Sequence, residues 1–148
     1  VADGYGFTRK RSWARRYALQ ALYQWQMTGQ DIAVIDAQFC ADQDMSKADA
    51  AYFQELLHRV PAEVDSLNAS FVSFLDRPLE QIDPVEKAIL WLAVYELRFR
   101  FDVPYRVILN EAVELAKKFG AEQSHRFINS LLDRVAHRLR VEEKEGGS

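Results

Sequence analysis

A single cysteine, Cys40, excludes an internal disulfide and fits a reducing compartment. With that one thiol and three scattered histidines, His58, His125 and His137, there is no metal-ligand spacing, so no metal and no other cofactor is expected. The six glycines are scattered or terminal and build no phosphate-cradling loop. Nothing approaches the ~20 consecutive apolar residues of a membrane-spanning helix. No secretory signal is visible either, and a cytoplasmic chain is expected. Strand-like alternation, hairpin signals and internal repeats are missing, which argues against a β fold. Nor is there an excess of positive charge: 19 Lys and Arg stand against 22 Asp and Glu, a net charge of −3. The chain as a whole is therefore not a basic nucleic-acid binder.

The material for catalysis is thin too. A nucleophile needs an oriented base beside it. Cys40 has no histidine near it in sequence and reads as a small buried hydrophobe on the apolar side of a short helix. Glu111 with Glu114, or Asp36 with Asp42, read as solvated helix faces, and His125 as a polar residue at a helix start. No enzyme is expected.

What is present is helical periodicity over 148 residues, enough for one domain or two small subdomains sharing a core. From Ser12, apolar residues at Ala14, Tyr17, Ala18, Ala21, Leu22 and Trp25 make a one-sided stripe that Gly29 ends. Tyr23 falls on the opposite side of that wheel, close to Arg16 and Gln20. Asp31 is placed to cap a second helix carrying Ile32, Ile35 and Phe39. Ser46 to Asp49 resembles a capping box opening a third, with Ala50, Phe53, Leu56 and Leu57 inward and Pro61 ending or kinking it. A fourth carries Val64, Leu67, Phe71, Phe74 and Leu75. Asp83-Pro84-Val85-Glu86 then opens a central helix: Asp83 caps, Pro84 has no N–H to waste, and Glu86 is placed to reach back. Eight unbroken apolar residues, Ala88 to Tyr95, follow, so this helix must be covered on nearly every side. The next stripe runs Val107, Ile108, Ala112, Leu115, Ala116 and Phe119 to Gly120. The last carries Ile128, Leu131, Leu132, Val135 and Leu139, with Phe127 at its edge. Residues 1–8 read as a flexible arm and residues 141–148 as a polar, disordered tail.

Two surfaces rise above this background. Five of the nineteen basic residues lie in Arg9, Lys10, Arg11, Arg15 and Arg16, interleaved with Trp13 and Tyr17. Cations neutralise phosphates and aromatic rings stack on bases, the combination single-stranded RNA binding uses. A solubilising charged end accounts for the composition equally well. The second surface is the start of the last helix, where free N–H groups and the dipole favour a phosphate. There Gln123, Ser124, His125 and Arg126 offer donors and Phe127 a ring, although a plain helix start explains these residues slightly better.

The stretches Gln20 to Trp25, Val85 to Leu90, Asp102 to Gly120 and Ser124 to Asn129 closely resemble the NusB family of bacterial transcription antitermination factors. The resemblance runs in order from about Arg9 to Arg140. It implies an all-α fold of about seven helices in two small helical subdomains, residues 9–78 and 79–140, forming one compact domain. It implies binding of the boxA element of ribosomal RNA leaders as single-stranded RNA, together with the small-subunit ribosomal protein NusE. The pair helps the RNA polymerase antitermination complex read through terminators, and no reaction is catalysed. Residue by residue, the family's arginine-rich stretch falls on Arg11 and Arg15. Ser12 and Trp13 stand where many members keep arginine, and Arg9, Lys10 and Arg16 supply replacement charge. The RNA-contacting start of the last helix falls on Gln123, Arg126 and Phe127. Gln123 replaces an acidic residue common there, which favours RNA. The NusE-facing surface falls on Tyr23 and Glu86. Two other readings are an RNA-binding module like the front domain of ribosomal RNA methyltransferases, which would need a Gly-rich catalytic domain, and a protein-only helical adaptor. A homodimer is compatible with the sequence.

Overall fold

The computed structural model describes residues 4–141 as seven α-helices: α1 Gly4–Thr28, α2 Ile32–Asp42, α3 Ala50–Ala62, α4 Val64–Phe71, α5 Pro84–Phe99, α6 Tyr105–Phe119 and α7 Ser124–Leu139. Short 3-10 turns lie at Met45–Lys47, Val72–Phe74 and Leu79–Gln81. The described residues contain no strand. No helix among them is long and apolar enough to cross a membrane. Residues 1–3 of the expected arm, and all of the expected tail beyond Val141, lie outside the described residues. From Gly4 the chain is helical, two turns ahead of the stripe that signals the first helix.

The helices fall into two units, one through Ala62 and one from Glu63. In the first, α1 packs on α2 and α3. The buried face of α1 is the expected stripe of Ala14, Tyr17, Ala18, Ala21 and Leu22, joined by Leu19 and by Arg15. Gly29 stops the helix with a left-handed backbone at φ +67°, a conformation that strains a side chain. Asp31 caps α2, its Oδ1 accepting the Ala33 N–H at 2.8 Å.

Only Ile35 and Phe39 of α2 are fully buried. That narrow contact corrects the reading of Cys40. It lies one residue beyond Phe39, about 100° round the helix, and is exposed. Its thiol donates to Asp36 Oδ1 at 3.3 Å. The third helix also opens later than its capping-box pattern suggests. Asp44 instead caps the 3-10 turn, and Asp49 accepts the Tyr52 N–H at 3.0 Å to start α3 at Ala50. Ala50 is consequently exposed, while Tyr52, Phe53, Leu56, Leu57 and Val60 face inward. Pro61 falls in the last turn of α3.

In the second unit α5 is the central post, packed by α4, α6 and α7. Ten consecutive residues, Ala88 to Leu97, are buried. Asp83 Oδ1 accepts from the N–H groups of Val85 and Glu86 at 2.8 and 3.4 Å, with Pro84 in the first turn. The Trp91 indole N–H donates to Asn68 Oδ1 at 2.7 Å, which ties α4 to the post. The division therefore falls at 62/63 rather than at the expected 78/79, because α4 packs with the post. At the far end of α5 the buried guanidinium of Arg140 donates to the carbonyls of Leu97, Val103, Glu96 and Arg100 at 2.7–3.1 Å. Helix C-termini leave carbonyls short of partners, and one side chain here serves several; those of Glu96 and Arg100 also accept the N–H groups of Arg100 and Val103.

On α6 the inward set is Ile108, Leu109, Ala112, Leu115 and Ala116; Val107, expected inside, is exposed. Gly120 follows α6 as expected, but for a different reason than a left-handed turn, since its φ is −87°. A Cβ there would stand 2.8 Å from the Ala116 carbonyl oxygen and 2.9 Å from Ser124 Cβ. The residue with the left-handed backbone is Gln123, at φ 74°.

Candidate nucleic-acid interface

In the first unit the basic residues 9–16 lie inside α1, past its first turn, so they act through side chains and not through a helix end. The structure divides the five cations. Arg9 and Lys10 are exposed. Arg11 is half-buried, its guanidinium 4.4 Å from the centroid of Phe7 and 4.1 Å from that of Tyr52, with Nε 4.0 Å from Asp49 Oδ2. Arg15 is only 3% exposed and points toward Tyr52, 5.6 Å from its centroid. Arg16 lies over Trp13 at 4.5 Å. Tyr17 belongs to the core, so of the two interleaved aromatics only Trp13 reaches the surface.

A cation distant in sequence completes this cluster. Lys47 of the 3-10 turn stands with Nζ 5.0 Å from the Trp13 centroid. The turn is pinned to α1 at two points: the Tyr17 hydroxyl donates to the Asp44 carbonyl at 3.2 Å, and the Asp49 N–H to the Lys10 carbonyl at 3.0 Å. Burial, and then the Asp44 charge, pushes the Tyr17 phenol up from its ordinary value. Hydrogen bonds from the Ser46 hydroxyl and N–H hold the Asp44 carboxyl below the usual carboxylate range. No sequence spacing signals Lys47; only the fold brings it to Trp13.

Further along α1, Tyr23 is 41% exposed, on the outer side where the wheel sets it.

The second unit holds the other set. Gln123 and Arg126 are exposed, and Phe127 is half-buried with the Arg77 guanidinium 4.7 Å from its centroid. Arg77 also lies 3.5 Å from Asp76. Further along α7, Arg134 and Arg138 lie 5.0 and 5.4 Å from the Phe74 ring. Neither pairing is visible in the helical pattern, because the rings and guanidinium groups come from different elements. Ser124 is buried, and its hydroxyl donates to Glu86 Oε2 at 2.7 Å. Glu86 therefore reaches across to the start of α7 rather than back to its own cap. This bond ties the expected partner-facing residue to the expected RNA-facing helix start.

Thus Arg9, Lys10 and Arg16 gather with Trp13 in one unit, and Gln123, Arg126 and Phe127 gather near Glu86 in the other. Arg11 and Arg15 turn largely inward. The surface cations and half-exposed rings can hold phosphates and stack on bases.

The model of the NusB family matches residues 12–137. The transcription antitermination protein NusB of Teredinibacter turnerae is 55% identical over 134 residues, 90% of this chain and 91% of the relative. That of Nitrosococcus oceani is 52% identical over 136 residues, 92% of this chain and 91% of the relative. Among solved structures, T. maritima NusB is similar with a TM-score of 0.73 and 27% identity, over 85% of this chain and 89% of that one.

Proposed function

The chain belongs to the NusB family of transcription antitermination proteins, and from that premise we propose that it binds boxA RNA, single-stranded, in ribosomal RNA leaders. It does so in the cytoplasm together with ribosomal protein NusE, and within the RNA polymerase antitermination complex, without catalysing a reaction. The surface cations Arg9, Lys10 and Arg16 take phosphates, with Arg11 and Arg15 setting the helix against Tyr52 behind them. Gln123 and Arg126 hold phosphate or base edges, and Phe127 offers a ring. Tyr23 and Glu86 face NusE.

The observation that carries this reading is the grouping of half-buried Arg16 and exposed Lys47 on the half-exposed Trp13 ring, in a chain whose net charge is −3. Local positive charge on an acidic protein attracts an anionic partner to that place. Titrating a boxA-containing RNA with the chain, with and without NusE, tests it. Binding that tightens when NusE is added is expected. A protein-only adaptor would show NusE binding and no RNA affinity.

A further inference from the structure

The first unit contains a cleft of about 410 Å³ lined by Gly6, Arg9, Lys10, Trp13, Ser46 and Lys47. The α1 residues recur at i, i+3, i+4 and i+7, which puts them on one helix face. The other wall is the 3-10 turn Met45–Lys47. We propose that this cleft is a nucleotide pocket, in which one base of the bound strand lies on Trp13, the phosphate of that nucleotide on Lys47, and neighbouring backbone phosphates on Arg9 and Lys10.

The proposal rests on the RNA reading above and adds a subsite to it. Three of the six lining residues are cations and none is a carboxylate. The acids that flank Ser46 and Lys47 in sequence are turned to other work: Asp44 caps the turn through Ser46, and Asp49 caps α3 and faces Arg11. The cleft is also held in shape. Its two walls are joined by the Tyr17–Asp44 and Asp49–Lys10 hydrogen bonds, so little ordering remains to be done on binding. Its volume lies at the small end of the ~300–1,000 Å³ range of ligand sites.

Trp13 is the part that fits a base. Its ring is half-exposed and lies tilted by 45° against that of Tyr17, with centroids 5.6 Å apart. Arg16 lies over the ring without lining the cleft. Lys47 both lines the cleft and stands over the ring. An exposed ammonium over an indole is held weakly, and a nucleobase stacks on the same face more strongly. The base displaces Lys47 from the ring, and the flexible side chain swings to the phosphate of that nucleotide.

Anisotropy titration of a boxA-containing single-stranded RNA tests the pocket, using wild type, Trp13→Ala and Lys47→Ala. Trp13→Ala is expected to weaken binding about fivefold or more. Lys47→Ala is expected to flatten the slope of log affinity against log salt by about 0.7, the share of one phosphate contact. Lys47 is exposed, so that arm does not depend on whether Trp13→Ala folds. In the wild type, RNA carrying 4-thiouridine should crosslink to Trp13 or to residues 45–47. Wild-type RNA binding with both variants unchanged and no crosslink in the cleft would overturn the pocket and leave the RNA reading standing. No RNA affinity in the wild type would overturn both.

Discussion

The two segments expected to meet RNA are physically different objects. The stretch from Arg9 to Arg16 is the flank of a long helix that begins at Gly4. Its N–H groups are spent on helical hydrogen bonds, so it meets a ligand with side chains alone. The stretch from Gln123 is a true helix start, with a left-handed residue before it and a buried serine bonded to a carboxylate. The first region is made by charge and aromatic stacking, and it spends Arg11 and Arg15 on its own interior. The second is made by backbone position. Damage to the first should therefore separate into binding variants and folding variants, whereas damage to the second should move both together.

The sharpest test of that difference is within α1. Arg15→Glu puts an unpaired negative charge at a buried site and should cost about 3–5 kcal/mol of stability. Lys10→Glu, on the exposed side, should change stability by less than ~0.5 kcal/mol and weaken RNA binding. Urea unfolding beside RNA titration reads both, and equal stability of the two variants would erase the distinction.

Gly120→Ala comes next. The added Cβ would meet the Ala116 carbonyl and Ser124 side chain inside 3 Å. Overpacking of this kind costs about 1–3 kcal/mol, and the displaced start of α7 should lose RNA affinity in the same variant. Stability lost with RNA affinity intact would mean that this helix start is not part of the interface.

The distribution of what could be read in advance follows the range of each signal. Asp31 at α2, Asp83 with Pro84 at α5, and the stripes on α1, α5 and α7 depend on residues one to four apart, and they stand where the pattern puts them. Asp49 displaced Ser46 as the α3 cap because the 3-10 turn intervenes, which a four-residue motif does not reveal. Cys40 is exposed where the pattern puts it inside because α2 buries so narrow a face. Arg140 on the end of α5, Lys47 on Trp13 and Arg77 on Phe127 are all brought together by the fold across long separations. In the candidate site, the residue types were visible but not their division into surface and interior: nothing in the run of arginines says that Arg15 points toward Tyr52.

A smaller effect probes the Ser124–Glu86 bond. Glu86→Ala leaves the buried serine hydroxyl without this acceptor and should cost about 1 kcal/mol, while Glu86→Gln keeps an oxygen in place and should cost less. Both should weaken NusE binding if the carboxylate charge is what NusE meets. A NusE affinity that follows stability instead of charge would assign Glu86 to the helix start alone.

The weakest lever is pH in the first unit. Burial pushes the Asp36 carboxyl up, but hydrogen bonds from His58, Cys40 and Gln54, with the nearby imidazole charge, outweigh it and leave the group below its ordinary 3.8. His58 Nε2 lies 2.7 Å from Asp36 Oδ2, joining α3 to α2. A depressed carboxylate stabilises the fold above its unfolded-state value, and that contribution fades as pH falls through the folded-state value. Wild type should therefore lose stability in acid more steeply than Asp36→Asn, and parallel acid profiles would contradict this.

The most direct test of the account is the salt dependence of boxA RNA binding by the wild type and by an Arg9→Ala, Lys10→Ala double variant. The account predicts that wild-type affinity falls steeply with salt and that the double variant's log–log slope is shallower by about 1.4, two phosphate contacts' worth. Wild-type affinity indifferent to salt, or an identical slope in the two proteins, would contradict it.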